Sequence, residues 1–192
     1  MKKILIPIAV LMSTIGFAQE DEKQDKEVDA IAATRKHELR LDAIELLASE
    51  KIELDYEYVF SKYSGIGGYI SYDFDQNDYV EDQIFAIGGF YRQYFFNRKD
   101  FGARGLFAEG LVQFGYFEDK DNQYDYLTDT YSENDLQYGA LGVGFALGQK
   151  WVSSNGFILE LSAGIGRNFG NQDYRQTDVF FRGGILVGYR FL

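Results

Sequence analysis

Residues 179–191 read VFFRGGILVGYRF. Every second residue gives Val179, Phe181, Gly183, Ile185, Val187, Tyr189 and Phe191, while the intervening series includes Arg182, Gly184, Gly188 and Arg190. One series is apolar and aromatic; the other carries arginine and glycine. Successive side chains of a strand point to opposite faces, so this period of two describes a two-faced strand.

The same test succeeds repeatedly towards the N-terminus. In residues 157–169, Phe157, Leu159, Leu161, Ala163 and Ile165 oppose Glu160, Ser162, Gly164, Gly166 and Asn168. In 137–151, Leu141, Val143, Phe145, Leu147 and Trp151 oppose Ala140, Gly142, Gly144, Gly148 and Lys150. In 106–116, Leu106, Ala108, Val112, Phe114 and Tyr116 oppose Glu109 and Gln113. In 85–95, Phe85, Ile87, Tyr91 and Phe95 oppose Gly88, Arg92 and Tyr94, with Gln93 a blemish on the apolar side. Two further strands fall at 66–74 and 52–60; the latter sets Ile52, Leu54, Tyr56, Tyr58 and Phe60 against Glu53, Asp55 and Glu57. The first strand, about 38–48, is the weakest. Leu39, Leu41 and Ala43 oppose Arg40 and Asp42, but Glu45 falls on the apolar side, so the strand is expected to end or bulge near Ile44.

That makes eight strands, and their connections alternate in length. Short turns are expected at 61–64, 97–103 and 153–156, and longer loops at 76–82, 118–135 and 170–178; only the connection near 49–51 breaks the pattern. Short turns on one side and long loops on the other are the habit of outer-membrane barrels. The expected fold is an all-β, eight-stranded, antiparallel up-and-down transmembrane β-barrel.

The composition agrees. The chain has 192 residues with 21 glycines, 1 proline, 15 tyrosines and 17 phenylalanines, a mixture suited to pleated surfaces. A formal net charge of −11 disfavours nucleic-acid partners. The absence of cysteine excludes disulfides, thiolate metal sites and a cysteine nucleophile.

Lys2 and Lys3, an apolar run over 4–17 and the small-x-small triplet Gly16-Phe17-Ala18 form a signal-peptide pattern, with cleavage expected after Ala18. An uncleaved anchor is the alternative. Residues 1–18 are therefore read as a signal peptide and 19–37 (QEDEKQDKEVDAIAATRKH) as a charged, solvated periplasmic segment. Residues 38–192 are read as the barrel.

Alternation alone does not say which face looks outward, and a soluble lipocalin-like barrel would put the apolar face inside. Volume decides. The interior of eight strands is just wide enough for its own side chains, so the large apolar set would overfill it. The aromatics should face out, with Trp151, Tyr58, Tyr116 and Tyr189 as interface-girdle residues. The lumen then receives Asp42, Glu53, Asp55, Glu57, Asp73, Glu109 and Glu160, together with Arg40, Arg92, Lys150, Arg182 and Arg190. Hairpin register sets Lys150 opposite Glu160 through a three-residue loop with Gly156 left-handed, and Arg92 opposite Glu109. Both are expected as buried structural ion pairs.

The terminal stretch FFRGGILVGYRFL resembles the C-termini of small outer-membrane β-barrels of the OmpA, OmpX and OmpW type. Arg182, Gly184, Val187 and Tyr189 match the family's polar-x-Gly-x-x-apolar-x-apolar assembly signal, with Phe191 as its usual terminal aromatic, although Leu192 follows it. The resemblance implies a Gram-negative outer-membrane location and recognition by the barrel-assembly machinery. It implies no substrate.

Catalytic and metal chemistry find little support. The single histidine, His37, is placed before the first strand and read as an exposed linker residue, which leaves no Ser-His-Asp set or histidine metal cluster in the barrel. Glu53, Asp55 and Glu57 are read as structural partners of lumen bases rather than acid/base catalysts. Asp119 and Asp121 lack the glycine and terminal glutamate of a calcium loop. The loop around them is read as solvated, with weak divalent-ion or lipopolysaccharide contact as the sharper option. The glycines over 139–148 lack a nucleotide-loop context and are read as making room in the lumen. No cofactor, metal or catalytic residue is expected. The functional expectation is a non-enzymatic barrel with a structural or surface-interaction role, surrounded by outer-membrane lipid and lipopolysaccharide and with room for a protein partner at its loops or N-terminal segment. The alternative is an OmpW-like channel or transporter for small or apolar solutes.

Overall fold

The computed structural model describes residues 34–48, 51–74, 82–95, 102–125, 130–153, 155–169 and 179–191. The expected signal peptide, most of the charged segment and the 170–178 loop lie outside them. The elements run in order β1 (His37–Asp42), α1 (Ala43–Ala48), β2 (Lys51–Ser61), β3 (Ser64–Asp73), β4 (Asp82–Tyr94), β5 (Gly105–Asp125), β6 (Thr130–Val152), β7 (Phe157–Phe169), β8 (Val179–Arg182) and β9 (Ile185–Phe191). All sheet pairings are antiparallel. Each of β1 to β7 pairs with the next, β7 pairs with both β8 and β9, and β9 returns to β1. The sheet closes on itself as eight staves, the eighth built from β8 and β9.

The eighth stave is interrupted, where a continuous strand over 179–191 is expected from the alternation. Gly183 has φ +137°, a conformation closed to most side chains. The register does not slip: Gly164 opposes Arg182 and Leu161 opposes Ile185 in one alignment, and the amide of Ser162 donates to the carbonyl of Gly184 across the break. The inside and outside faces of β8 and β9 therefore stay in phase.

The first strand ends where Glu45 spoils the alternation. Asp42 closes β1, and its Oδ1 accepts hydrogen bonds from the amides of Ile44 (2.8 Å) and Glu45 (3.1 Å), capping α1. Had β1 continued, Glu45 would point outward among apolar side chains. The helix instead lets it pair with Lys51 Nζ at 2.8 Å. As a result β2 above Leu54 pairs only with β3, β8 pairs only with β7, and α1 lies against β2 and β9.

The expected loop 118–135 is largely strand. The β5–β6 ladder continues without a break from Gly105 opposite Lys150 to Asp125 opposite Thr130. In residues 119–134 the sequence carries no apolar alternation from which a strand could be read.

The alternation assigns the faces as expected. Leu141, Val143, Phe145, Leu147, Phe157, Leu161 and Ile165 are exposed, whereas their neighbours Ala140, Ala146, Glu160 and Lys150 are buried inside. Inward rings lie over glycines. Phe90 covers Gly67, Tyr69 covers Gly88, Phe180 covers Gly142, Gly144 and Gly166, and Phe107 covers Gly148, so a methyl group at any of these glycines would meet the ring. Gly139 differs, because its neighbour is the outward Phe114.

Candidate functional site

The distinctive chemistry lies in the lumen. Every stave contributes: Glu38, Arg40 and Asp42 from β1, Glu53, Asp55 and Glu57 from β2, Arg92 from β4, Glu109 from β5, Lys150 from β6, Glu160 from β7, Arg182 from β8 and Arg190 from β9 are all buried. β3 contributes Ser71 and Tyr69 instead. Alternation places these side chains inside, and closure of the barrel brings strands distant in sequence face to face.

Glu57 is the hub. Its Oε2 accepts from Arg40 Nη1 (2.6 Å), Arg92 Nη1 (3.1 Å) and Lys150 Nζ (3.1 Å), while its Oε1 accepts from the Tyr94 hydroxyl (2.6 Å). Arg92 Nε also donates to Glu109 Oε2 at 2.5 Å, and Arg92 Nη1 to Glu160 Oε2 at 2.8 Å. Arg182 joins Glu109 Oε1 (2.6 Å), Asp55 Oδ1 (2.6 Å) and Glu53 Oε1 (3.0 Å). Glu38 collects Arg40 Nη1 (2.8 Å), Lys150 Nζ (2.7 Å) and Arg190 Nε (2.7 Å). The cations also rest on rings: Arg92 lies 4.4 Å from the centroid of Phe107, Arg182 4.0 Å from Tyr69 and Lys150 4.6 Å from Tyr94. Such a network offsets the cost of removing charge from water only because partners surround each group.

Of the two register pairs expected from the hairpins, Arg92 and Glu109 are opposed and bonded. Lys150 and Glu160 are opposed as expected, and Gly156 has φ +97° in the loop between them. They do not bond to each other in the way expected. Lys150 reaches across the lumen to Glu38 and Glu57, and Glu160 turns to Arg92 and Arg40. A long side chain can span a narrow lumen and take the carboxylates that barrel closure brings to the opposite wall. Glu38, absent from the expected set, is a second hub. Its alternation with Arg40 was readable, but β1 begins one residue earlier than the sequence indicates.

That earlier start also corrects the placement of His37. It opens β1, its Nδ1 lies 2.6 Å from the Tyr56 hydroxyl, and its ring sits 5.2 Å from that of Tyr58 and 5.9 Å from that of Phe191. It behaves as one of the rim aromatics rather than as a linker residue.

Buried apolar clusters bound the network on either side. At the rim carrying the termini, Ala103, just before β5, lies inside: at φ 58° and fully buried, it donates its amide to the Lys62 carbonyl and packs with Val59, Tyr94 and Phe107. Arg190 fastens it, donating to the carbonyls of Gly102 (3.0 Å) and Ala103 (2.8 Å). Towards the other rim, Tyr69, Ala86, Phe90, Leu111 and Phe180 form an apolar layer. Above it the Tyr69 hydroxyl donates to Gln113 Oε1, and Gln113 Nε2 donates to Asn168 Oδ1.

Of the C-terminal set, Arg182 ends β8 in the lumen, Gly184 lies at the break, and Val187, Tyr189 and Phe191 belong to the outward series of β9. Among the described residues, no group of three or more histidine, cysteine, aspartate or glutamate side chains is placed to hold a metal ion.

No protein-family model matches the chain, and no curated protein does. Among solved structures, the N-terminal β-barrel domain of Pseudomonas aeruginosa OprF is similar to this chain at 12% identity with a TM-score of 0.48, covering 82% of this chain and 98% of that domain.

Proposed function

We propose that this chain is a sealed, non-enzymatic barrel of the bacterial outer membrane, which acts as a rigid wall anchor for its surface-exposed hairpin. The observation that carries the membrane part is the outward face. Large apolar side chains from Leu54 and Tyr56 around to Phe181 and Tyr189 stand exposed on every stave, while the ion network is inside. A water-soluble protein seldom exposes a contiguous apolar patch of more than a few hundred Å². A closed barrel, with no free sheet edge, is the β-architecture that hydrocarbon tolerates.

Orientation follows from connection length. The rim carrying the termini has the tight turns at 61–64 and 153–156, the periplasmic habit, and the β5–β6 hairpin leaves the opposite rim. The C-terminal set Arg182, Gly184, Val187, Tyr189 and Phe191 would then serve as the assembly signal.

Sealing favours a structural or interaction role over conduction. The lumen holds an ion network, with Gly102 and Ala103 latched by Arg190 at one end of it, and this filling supports the non-conducting reading. The hairpin offers two long paired strands beyond the wall, a surface for a protein partner. The experiment is reconstitution of the full chain into liposomes with planar-bilayer recording, together with co-purification from mild detergent. The expected result is membrane insertion without steady openings, with partner capture that depends on residues 119–136. Steady openings would favour the channel alternative.

A further inference from the structure

At the hairpin end of the lumen, beyond the apolar layer, Gln83, Phe117 and Tyr138 lie directly side by side across β4, β5 and β6. Phe117 and Tyr138 follow the inward parity of Gln113 and Ala140 on their strands. Gln83 owes its place to a bulge. The register of β4 shifts between Gln83 and Phe85, so Ile84 is an extra residue and the parity of Gln83 reverses. Without the bulge Gln83 would share the outward face of Phe85 and Ile87. Instead its carboxamide carbon comes within 3.6 Å of the point where a side chain on the inward Gly115 would begin, and the Phe117 ring lies over the same point. Phe117 and Tyr138 stack, with ring centroids 5.3 Å apart and planes 12° from parallel.

The trio stands at water level. Its outward neighbours are polar and tied to one another: the Tyr116 hydroxyl donates to Gln137 Oε1 (2.6 Å), and Gln137 Nε2 donates to Glu118 Oε1 (3.2 Å). Two hydrogen-bonding groups of the trio are unengaged. The Tyr138 hydroxyl is shielded from water yet has no hydrogen-bond partner. No hydrogen bond ties the part-exposed Gln83 carboxamide to a described residue. A buried tyrosine hydroxyl ordinarily finds a partner, because leaving it without one forfeits the bond it made to water. The wall between the trio and the apolar layer is uncharged, with Gln113, Gly115, Ala140, Gly142 and Asn168 facing inward.

Stacked rings flanked by a carboxamide and a phenol hydroxyl, on an uncharged wall, match one ligand chemistry. A pyranose lays its C–H face on an aromatic ring, whose face carries partial negative charge, and presents hydroxyls around its edge. Each hydroxyl can donate and accept, as can a carboxamide and a phenol. An ionic ligand would find no counter-charge on this wall. We propose that Gln83, Phe117 and Tyr138 form a binding site for a neutral sugar at the mouth of the barrel. The sugar rests on the part-exposed Tyr138 ring, bonds the Gln83 carboxamide and supplies the partner of the Tyr138 hydroxyl. The inference rests on the hairpin end being the outer one, and it is independent of whether the lumen below conducts ions.

The test uses the full chain in detergent micelles, with neutral maltohexaose and chitohexaose and anionic hexagalacturonate as probes, read by saturation-transfer NMR. At least one neutral probe should bind, and hexagalacturonate clearly more weakly. Tyr138→Phe removes only the hydroxyl and should weaken that binding about tenfold, the scale of one hydrogen bond. Because the hydroxyl has no partner within the protein, the same change should leave the heat resistance of the folded form on gels unchanged. Gln83→Ala should weaken binding as well, and Gly110→Ala, on the outward face, should not. Binding of neither neutral probe, equal binding of hexagalacturonate, or binding untouched by both Tyr138→Phe and Gln83→Ala would overturn the site. Each of these results leaves the membrane reading standing; that reading fails instead if the unmodified chain does not insert into liposomes.

Discussion

The carboxylate of Asp42, at the end of β1, occupies the space that a side chain on Gly184 would need. The two residues sit where the first stave gives way to α1 and the eighth is broken beside it. Asp42 is fully engaged there, because it caps the helix that replaces the missing strand. Gly184→Ala should therefore push Asp42 off the cap amides and loosen α1, a loss of about 1 kcal/mol from the cap alone. The measurement is the temperature at which the folded form on unheated gels converts to the unfolded form. Gly110→Ala, on the outward face with open space around its Cβ position, should leave that temperature unchanged.

Glu57 neutralises three cations at once, so removing it exposes more than one lost bond. Glu57→Ala leaves Arg40, Arg92 and Lys150 short of a partner in a buried setting, which should cost about 3–5 kcal/mol. Glu53→Ala removes only one contact with Arg182, which keeps Asp55 and Glu109, and should cost clearly less. Urea unfolding from lipid vesicles checks the order; equal costs would mean that the network is not centred on Glu57.

Arg190 latches Gly102 and Ala103 ahead of β5. Arg190→Leu removes its bonds to the carbonyls of Gly102 and Ala103 and the pairing with Glu38. Brief current bursts are expected in planar bilayers where the unmodified chain shows none. Silence in a folded Arg190→Leu variant would mean that the turn is held by Ala103, Val59, Tyr94 and Phe107 packing alone.

Much of this was legible from alternation, because a barrel wall separates two environments and each strand records both. The opposition of Arg92 and Glu109 followed from a hairpin and a parity. What escaped had specific physical causes. The cross-lumen partners of Lys150 depend on barrel closure, which joins residues more than a hundred positions apart, as with Glu38. Local pairing rules do not reach that far. The extension of the β5–β6 ladder was hidden because residues 119–134 carry no apolar alternation. Glu45 signalled that β1 would end, but the replacement of strand by helix is a tertiary solution.

Depth along the wall should also be measurable. Leu161→Arg, near the middle of the outward series of β7, should cost about 2–4 kcal/mol, falling towards zero for Phe169→Arg at the end of that strand. Vesicle refolding titrations check this, and equal costs at both positions would contradict an apolar band crossed by β7.

The chain contains no cysteine, so single cysteines can be placed and spin-labelled without background. The most direct measurement scans positions 141–147 in lipid bilayers and records collision with oxygen against a water-soluble nickel complex. Labels at 141, 143, 145 and 147 should meet oxygen freely and nickel hardly at all, while those at 142, 144 and 146 should meet little of either. Strong nickel access at the odd positions, or oxygen access that peaks at the even ones, would contradict an apolar outside wrapped around a charged, sealed interior.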